Sequence, residues 1–412
     1  MEEKLISREY ALAQARPYYD DDYIKAIMGI RRSGKSKLLL EIIGELKERG
    51  IRDDHILFYD LEGESGEGIV DRKSLEKRLQ KDIKGKDKYY IFIDEVQHIR
   101  KFEVAIASVR VSYNCSLFVT GSNSKLLRGR FQDRLTGRAR EILVQPFSFK
   151  EHLAYKKANG LPISEGEFFD YLKWGGMPQR YKESGEGTLS KYLSSLYSSI
   201  VAKDVYASHP RINKDSFALV ASYILKEAGK DFSSESVSTF LQNSVTGGEF
   251  KADNKQVASY ASDLLDAYFV REIKPFYLSG KRSLKGKRKL YAIDTGFRTV
   301  MGNGVDFEKS FYLENVIYNE LILRGYEVFV GRTYRGEVDF VVKDGTKLCY
   351  IQVCMTLAGE GTKEREYGAF IPIKGAHPKI VICLDPFPTE KDGVIYINAV
   401  DFLLGKKDLL FS

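Results

Sequence analysis

The sequence predicts an α/β fold built on a parallel sheet, and three observations predict it. Apolar, β-leaning runs (Ile24 to Met28, Tyr89 to Ile93, Ser116 to Thr120) alternate with stretches whose apolar residues recur at helical spacing. The first of these runs stops at Gly29 and passes through a short loop into a helical pattern with Leu39, Ile42, Ile43 and Leu46 on one face. A hydrophobic content of 43% and an aromatic content of 12% suit packed cores rather than disorder, and 412 residues suggest two to four domains.

Charge and cysteine usage narrow the class. A net charge of +7 and a pI near 8.9 permit nucleic-acid or acidic partners without demanding them. Cys115, Cys349, Cys354 and Cys383 show no C-x-x-C spacing and sit in or beside apolar, strand-like sequence, which reads as reduced core cysteine. The amino-terminal MEEKLISREYALAQ lacks the apolar core of a signal peptide, and no apolar run reaches the length of a membrane span. The expectation is a soluble, cytoplasmic protein without membrane contact.

The loop Gly29 to Ser36 reads G-I-R-R-S-G-K-S and fits the phosphate-binding pattern G-x-x-x-x-G-K-[ST] without mismatch. Gly29 and Gly34 allow backbone conformations that turn N–H groups inward at a phosphate. Lys35 brings charge to the β- and γ-phosphates, Ser36 offers a hydroxyl to Mg²⁺, and the helix adds its positive dipole end. ATP and Mg²⁺ are the implied cofactors. The ATP-binding residues are Gly29, Ile30, Arg31, Arg32, Ser33, Gly34, Lys35, Ser36 and Lys37.

His55 to Leu61 reads as a second strand, Ser74 to Ile83 as a helix, and Tyr89 to Ile93 as a buried strand ending in Asp94-Glu95. Downstream of a phosphate loop such an ending has a chemical reading. Asp94 belongs to the Mg²⁺ shell and Glu95 orients and polarises the attacking water. A helix follows near Phe102 to Tyr113. The strand Ser116 to Thr120 then ends in Gly121-Ser122-Asn123-Ser124, where Asn123, or alternatively Ser122, can reach the γ-phosphate or the water. Either residue can equally serve as a plain helix cap. Leu135 to Arg140 leads into a fifth strand, Glu141 to Val144. Arg138 reads either as an arginine finger, in cis or on a neighbour, or as a solvated arginine.

At this point the sequence resembles a known group. GIRRSGKS, YYIFIDEVQHI, LFVTGSNSKLL, LTGRAREILVQPFSFKEHL, YLKWGGMPQ and GEVDFVV with YIQV look like AAA-type prokaryotic ATPases, a group close to the archaeal ATPases, whose carboxyl-terminal part is a domain of unknown function. The resemblance runs from residue 24 to about 353. It implies an ATPase core of the AAA+/STAND kind. The nucleotide roles above match the group position by position, and Arg31 and Arg32 also fit its loop pattern.

Beyond the fifth strand, Glu151 to Lys157 and Glu165 to Lys173 read as helices of a lid. Gly175-Gly176-Met177-Pro178 is a tight turn, with Arg180 beyond it either sensing nucleotide or lying at the surface, and Leu189 to Ala202 is another helix. Phe217 to Ala228, Ser234 to Gln242 and Asn254 to Ala267 are three helices, and Phe269 to Tyr277 with Lys289 to Ile293 a hairpin, which together make a winged helix. Its basic tip carries Lys281, Arg282, Lys285, Lys287, Arg288 and Lys289. Lys285, Lys287 and Arg288, with Lys255 at the start of the third helix, are the candidate DNA contacts. A module used for packing or protein contact is the alternative.

The last third reads as a helix, Ser310 to Arg324, three strands, a helix, Thr362 to Phe370, and a strand, Lys379 to Asp385. This order resembles the PD-(D/E)XK nuclease fold. Glu314, Asp339, Gln352 and Cys354 stand at the places of the helix glutamate, the hairpin aspartate, and the acid and lysine of (D/E)-x-K, and the last two depart from the pattern. Inactivity is expected.

The prediction is therefore an α/β chain in three parts. Residues 1–148 are a P-loop NTPase domain with a parallel sheet, 149–305 a helical lid plus winged helix, and 306–412 a small nuclease-like domain. The expected activity is Mg²⁺-dependent ATP hydrolysis coupled to DNA or a protein partner. A slow nucleotide-gated switch and an active nuclease are the alternatives.

Overall fold

The computed structural model describes residues 4–124, 137–245, 250–278, 288–302, 307–334, 336–359, 361–386, 390–391 and 393–411. The chain divides into two compact units. One holds residues 7–145 and 266–268, and the other holds 146–265 and 269–412 with the amino-terminal residues up to Ile6.

In the first unit, α1 (Glu9–Ala15) precedes β1 (Ile24–Met28), α2 (Lys35–Glu48), β2 (Ile56–Asp60), α3 (Arg72–Asp82), β3 (Tyr89–Asp94), α4 (Phe102–Ser112), β4 (Cys115–Gly121) and β5 (Ala139–Leu143). The strands form one parallel sheet in the order β2-β3-β4-β1-β5. All five residues of β1 and all six of β3 are buried, because helices cover both faces of the sheet. Ile27, Tyr90, Phe92 and Phe118 pack with Leu38, Leu39, Ile42 and Leu46 of α2 on one face. Ile24, Ala26, Ile91 and Val119 pack with Leu75, Leu79, Ile106 and Val109 of α3 and α4 on the other. Asp71 and Ser74 form a capping box that starts α3, a contribution of roughly 1 kcal/mol. Because the sheet is parallel, every strand delivers its carboxyl end to the same edge, and that edge carries the phosphate loop.

The second unit opens with α5 (Phe149–Ala158), α6 (Glu167–Trp174) and α7 (Glu186–Ile200), which continues into π-helical Val201–Tyr206. Next come α8 (Lys214–Lys226), β6 (Asp231–Phe232), α9 (Ser234–Ser244), α10 (Asn254–Asp266), β7 (Val270–Tyr277) and β8 (Arg288–Ala292). The chain finishes with α11 (Thr295–Met301), α12 (Lys309–Leu323), β9 (Glu327–Thr333), β10 (Gly336–Asp344), β11 (Lys347–Val353), α13 (Thr362–Phe370), β12 (Lys379–Cys383), β13 (Glu390–Lys391), β14 (Val394–Asn398) and α14 (Ala399–Leu403).

The segments 149–305 and 306–412, separated in the sequence reading, share one nine-stranded sheet, β13-β14-β12-β11-β10-β9-β7-β8-β6. The join is a parallel pairing of β7 with β9, Lys274 opposite Phe329 through Tyr277 opposite Arg332. Helix α12 lies buried against this sheet, with Leu313, Ile317 and Leu321 packing on Phe340, Ile351 and Ile380. The carboxylate of Asp294 accepts from the backbone N–H groups of Gly176 (2.7 Å) and Gly296 (2.9 Å). A side chain at Gly175 would collide with that carboxylate, so the glycine turn exists to admit it. Burial pushes the Asp294 carboxyl up to about 6, against these hydrogen bonds.

Candidate functional site

The phosphate loop lies between the end of β1 and the start of α2. Its backbone takes left-handed conformations at Gly29 (φ 151°), Arg32 (φ 68°) and Gly34 (φ 104°). A Cβ at Gly29 would sit 2.1 Å from the Val144 carbonyl oxygen, so only glycine fits there. Lys35 is buried and its Nζ donates to the Gly29 and Ile30 carbonyl oxygens at 3.1 and 3.2 Å. Ile30 and Ser33 are buried, Arg31 is half-buried and paired with Glu62 at 3.4 Å, and Arg32, Ser36 and Lys37 are exposed.

Asp94 ends β3 in the same neighbourhood. Its carboxylate accepts from the Thr120 hydroxyl, and the Ser36 hydroxyl lies close enough to favour its charged form. Burial pushes Asp94 above the usual carboxylate range, opposed by those two hydroxyls and reinforced by Glu95 and Asp60. A carboxylate and a hydroxyl side by side are hard oxygen donors of the type Mg²⁺ takes. Glu95 adopts the left-handed region (φ 55°), which is costly for a residue with a side chain and is typical of sites under functional constraint. Its N–H donates to Thr120 Oγ1 at 2.8 Å, and its carboxylate accepts from the Gln97 amide.

Two residues at this edge escaped the sequence reading. Thr120 bonds to both acids at once. The available signal was one polar residue at the carboxyl end of the apolar run SLFVT. Arg8 is the other. It is buried, and its guanidinium donates to the Ser33 carbonyl (2.9 Å) and the Gln145 carbonyl (2.5 Å). In a trans peptide C=O and N–H point opposite ways. Holding the Ser33 oxygen outward therefore aims the Gly34 N–H toward the interior of the loop. Nothing local in the sequence marks Arg8, which lies 25 residues from Ser33.

The structure brings Lys35, Ser36, Asp94 and Glu95 to one sheet edge. Ser122 and Asn123 follow β4 at that edge, where Gly121 pairs with Met28; Ser122 is buried and Asn123 half-buried. Ser124 bonds Asp266 at 2.8 Å instead. Arg138 is not brought to the site. Its carbonyl accepts from Ile24 N at 2.9 Å, at the start of β1, so it stands a strand length, roughly 13 Å, from the loop. The cis role for Arg138 fails on that geometry.

In the second unit Arg180 is buried rather than at the surface, bonded to Asp170 and to the Gly175 carbonyl. His152, Glu167 and Asp170 bring ligand-type atoms within 4.8 Å of one another, but Lys156 (2.5 Å from Glu167) and Arg180 already pair with the two carboxylates. Lys255 is exposed in the first turn of α10. Arg288 opens β8, donates to Glu272 at 2.7 Å and lies over the Phe232 ring. Lys281, Arg282, Lys285 and Lys287 lie outside the described residues.

Glu314 of α12, Asp339 of β10 and Gln352 of β11 do converge. Gln352 Oε1 accepts from Asp339 N at 2.7 Å and its amide donates to Glu366 at 2.6 Å. Asp339 accepts from Val353 N at 2.8 Å. Burial holds Asp339 well above the usual carboxylate range, Glu314 adding and Lys289 opposing. Cys354 is buried beside Cys383. Lys289 enters this cluster from β8, 3.4 Å from Glu314 and ion-paired with Glu337. Burial works to lower Lys289, yet Glu314, Glu337 and Asp339 outweigh it and hold the ammonium above its usual range. Glu337, a quarter exposed, is thus ion-paired with both Lys289 and Arg332.

A family model described as an AAA domain matches residues 21–153, and one described as a domain of unknown function (DUF8612) matches residues 165–307. An uncharacterised protein of Haemophilus influenzae is 31% identical over 411 residues, covering 98% of this chain and all of that protein. One of Methanocaldococcus jannaschii is 28% identical over 84% of this chain and 78% of its own length. Among solved structures, a Walker-type ATPase of Pyrococcus abyssi aligns with a TM-score of 0.48 at 17% identity, over 72% of this chain and 96% of its own. The Aeropyrum pernix ORC1 protein in complex with DNA aligns at 0.31 and 12% identity, over 73% and 94%. Among the described residues no helix is long and apolar enough to cross a membrane.

Proposed function

The chain belongs to the family of that Haemophilus influenzae protein, and with its AAA domain as premise we propose that it is a cytoplasmic ATPase hydrolysing Mg·ATP at the edge formed by residues 29–37, Asp94 and Glu95. One observation carries the reading: the loop lysine, Asp94 with the Ser36 hydroxyl beside it, and the strained Glu95 meet at the carboxyl ends of β1 and β3, the two strands that flank β4 in the parallel sheet. Lys35 and the inward N–H groups of the loop bind the phosphates. Ser36 and Asp94 would hold Mg²⁺, which when bound supplies charge neutralisation on the phosphate oxygens. Glu95 accepts the proton of the attacking water, with Thr120 fixing its backbone and Asn123 or Ser122 orienting the water. Steady-state ATP hydrolysis tests this. Glu95→Gln should retain nucleotide binding and lose turnover by roughly 10²–10⁴-fold; hydrolysis at the parent rate would remove Glu95 from this role.

The Gln97 amide on Glu95 favours a second reading, a slow nucleotide-gated switch, because a carboxylate so engaged must be released before it can take a proton. Gln97→Ala should then raise basal turnover, and an unchanged rate sinks the switch.

We further read α8, α9, α10 and the β6–β8 strands as a winged helix, and the carboxyl-terminal part as a nuclease-like fold without nuclease activity. Three parts, 1–148, 149–305 and 306–412, remain the proposed functional division. DNA contact through Lys255, Lys285 and Lys287 is supported by their basic character; Arg288, engaged with Glu272, adds less. A protein partner is the other outcome, separated by whether binding weakens with salt. Neutral Gln352 and buried Cys354 support inactivity, since a hard metal loses an anionic ligand, the thiol offers no ammonium, and the Lys289 ammonium nearby is committed to Glu337.

A further inference from the structure

Glu314 of α12 and Glu337 of β10 share one ammonium, that of Lys289, and Asp339 stands near enough to add to its hold on its proton. Carboxylates gathered in a partly buried cluster repel one another unless a cation joins them. In this chain an internal cation is present. Lys289, 6% exposed, reaches in from β8 to 3.4 Å from Glu314 and pairs with Glu337. Arg332 takes the other side of Glu337 at 2.5 Å, and the Tyr291 hydroxyl donates to Glu314. Those bonds use both oxygens of Glu337 and one of Glu314, and a second cation beside the ammonium would be repelled.

We propose that Lys289 is the resident counter-ion of this cluster, so that the second unit holds its acidic interior together without a metal and admits a divalent cation only when Lys289 is removed. The ammonium also ties the hairpin strand β8 to α12 and β10. This is independent of whether the phosphate loop turns over ATP.

The test is thermal unfolding of the full chain without nucleotide, with and without millimolar Mn²⁺, counting only responses that Glu337→Gln abolishes. The parent should show no such response. Lys289→Met should unfold roughly 10 °C lower, the scale for removing one partner of a buried ion pair in a unit of this size. Mn²⁺ should restore much of that loss, and the double variant Lys289→Met with Glu337→Gln should show no restoration. A Glu337-dependent Mn²⁺ response in the parent overturns the proposal. So does a Lys289→Met protein as stable as the parent, or one that Mn²⁺ fails to restore. If Lys289→Met cannot be purified, the parent titration still decides, and Lys289→Arg, which keeps the charge, should behave as the parent.

Discussion

Two buried lysines organise the two units, and they are held in different ways. Lys35 donates to carbonyl oxygens of its own loop, where Gly29, Arg32, Gly34 and, close by, Glu95 all adopt left-handed backbone. Lys289 sits on a regular strand and meets carboxylates that a helix and another strand supply. Carbonyl oxygens are neutral acceptors that yield readily to a phosphate; carboxylates carry full charge and do not. The first lysine is set up to change partners, the second to keep them. The same ammonium group is thus a binding element in one unit and a fastener in the other, and what decides is the charge of its acceptors.

The sharpest way to break this comparison is at Lys35. Lys35→Ala should weaken ATP binding by at least roughly 10²-fold, from the loss of charge-assisted phosphate contacts, while Lys289→Arg leaves it unchanged. Fluorescence titration with a labelled nucleotide reads both, and equal losses would erase the distinction. Arg8→Ala should be next in size. Losing the bonds that hold the Ser33 carbonyl should cost roughly ten- to a hundredfold in ATP affinity, with Arg8→Lys in between. An unchanged affinity would mean the loop holds its shape without that brace.

Asp294 supplies an intermediate case, a buried carboxylate held by backbone N–H groups. Its folded value near 6 lies above the ordinary 3.8, so its contribution is fully present below pH 4 and declines as pH rises through 6. The parent should lose about 3 kcal/mol relative to Asp294→Asn across that window. Denaturant unfolding at several pH values measures the difference, and a flat difference removes Asp294 as the titrating group. The smallest effect is expected at the surface. Lys255→Ala should reduce the salt slope of DNA binding by about 1; no affinity at low salt leaves the protein-partner reading.

How much of this could be read beforehand depends on chain distance. G-I-R-R-S-G-K-S is contiguous, and the acids that join it end the next but one strand, so loop, lysine and acids were legible together. Arg138 looked equally plausible on residue type, although its place just ahead of the fifth strand already puts it at the amino end of a parallel sheet, opposite the loop. Arg8 and the Lys289 cluster come from pairings across tens of residues, and no spacing rule records them. The helix Thr295–Met301 was also missed. Thr295, Gly296, Thr299 and Val300 are poor helix formers, and the helix exists because Asp294 caps it and Phe297 and Arg298 are buried around it. The strand Val394–Asn398 and the helix Ala399–Leu403 after it were likewise unread.

The β7–β9 pairing has a consequence for how the chain can be divided. A protein ending at Met301 would leave Lys274 to Tyr277 with open backbone donors and acceptors along one margin, a ready template for another chain's strand. Such a fragment should stick to itself rather than stand alone. Gene-level shuffling would meet the same obstacle: the hairpin and the carboxyl-terminal strands must be inherited as one piece, whatever partner either of them serves.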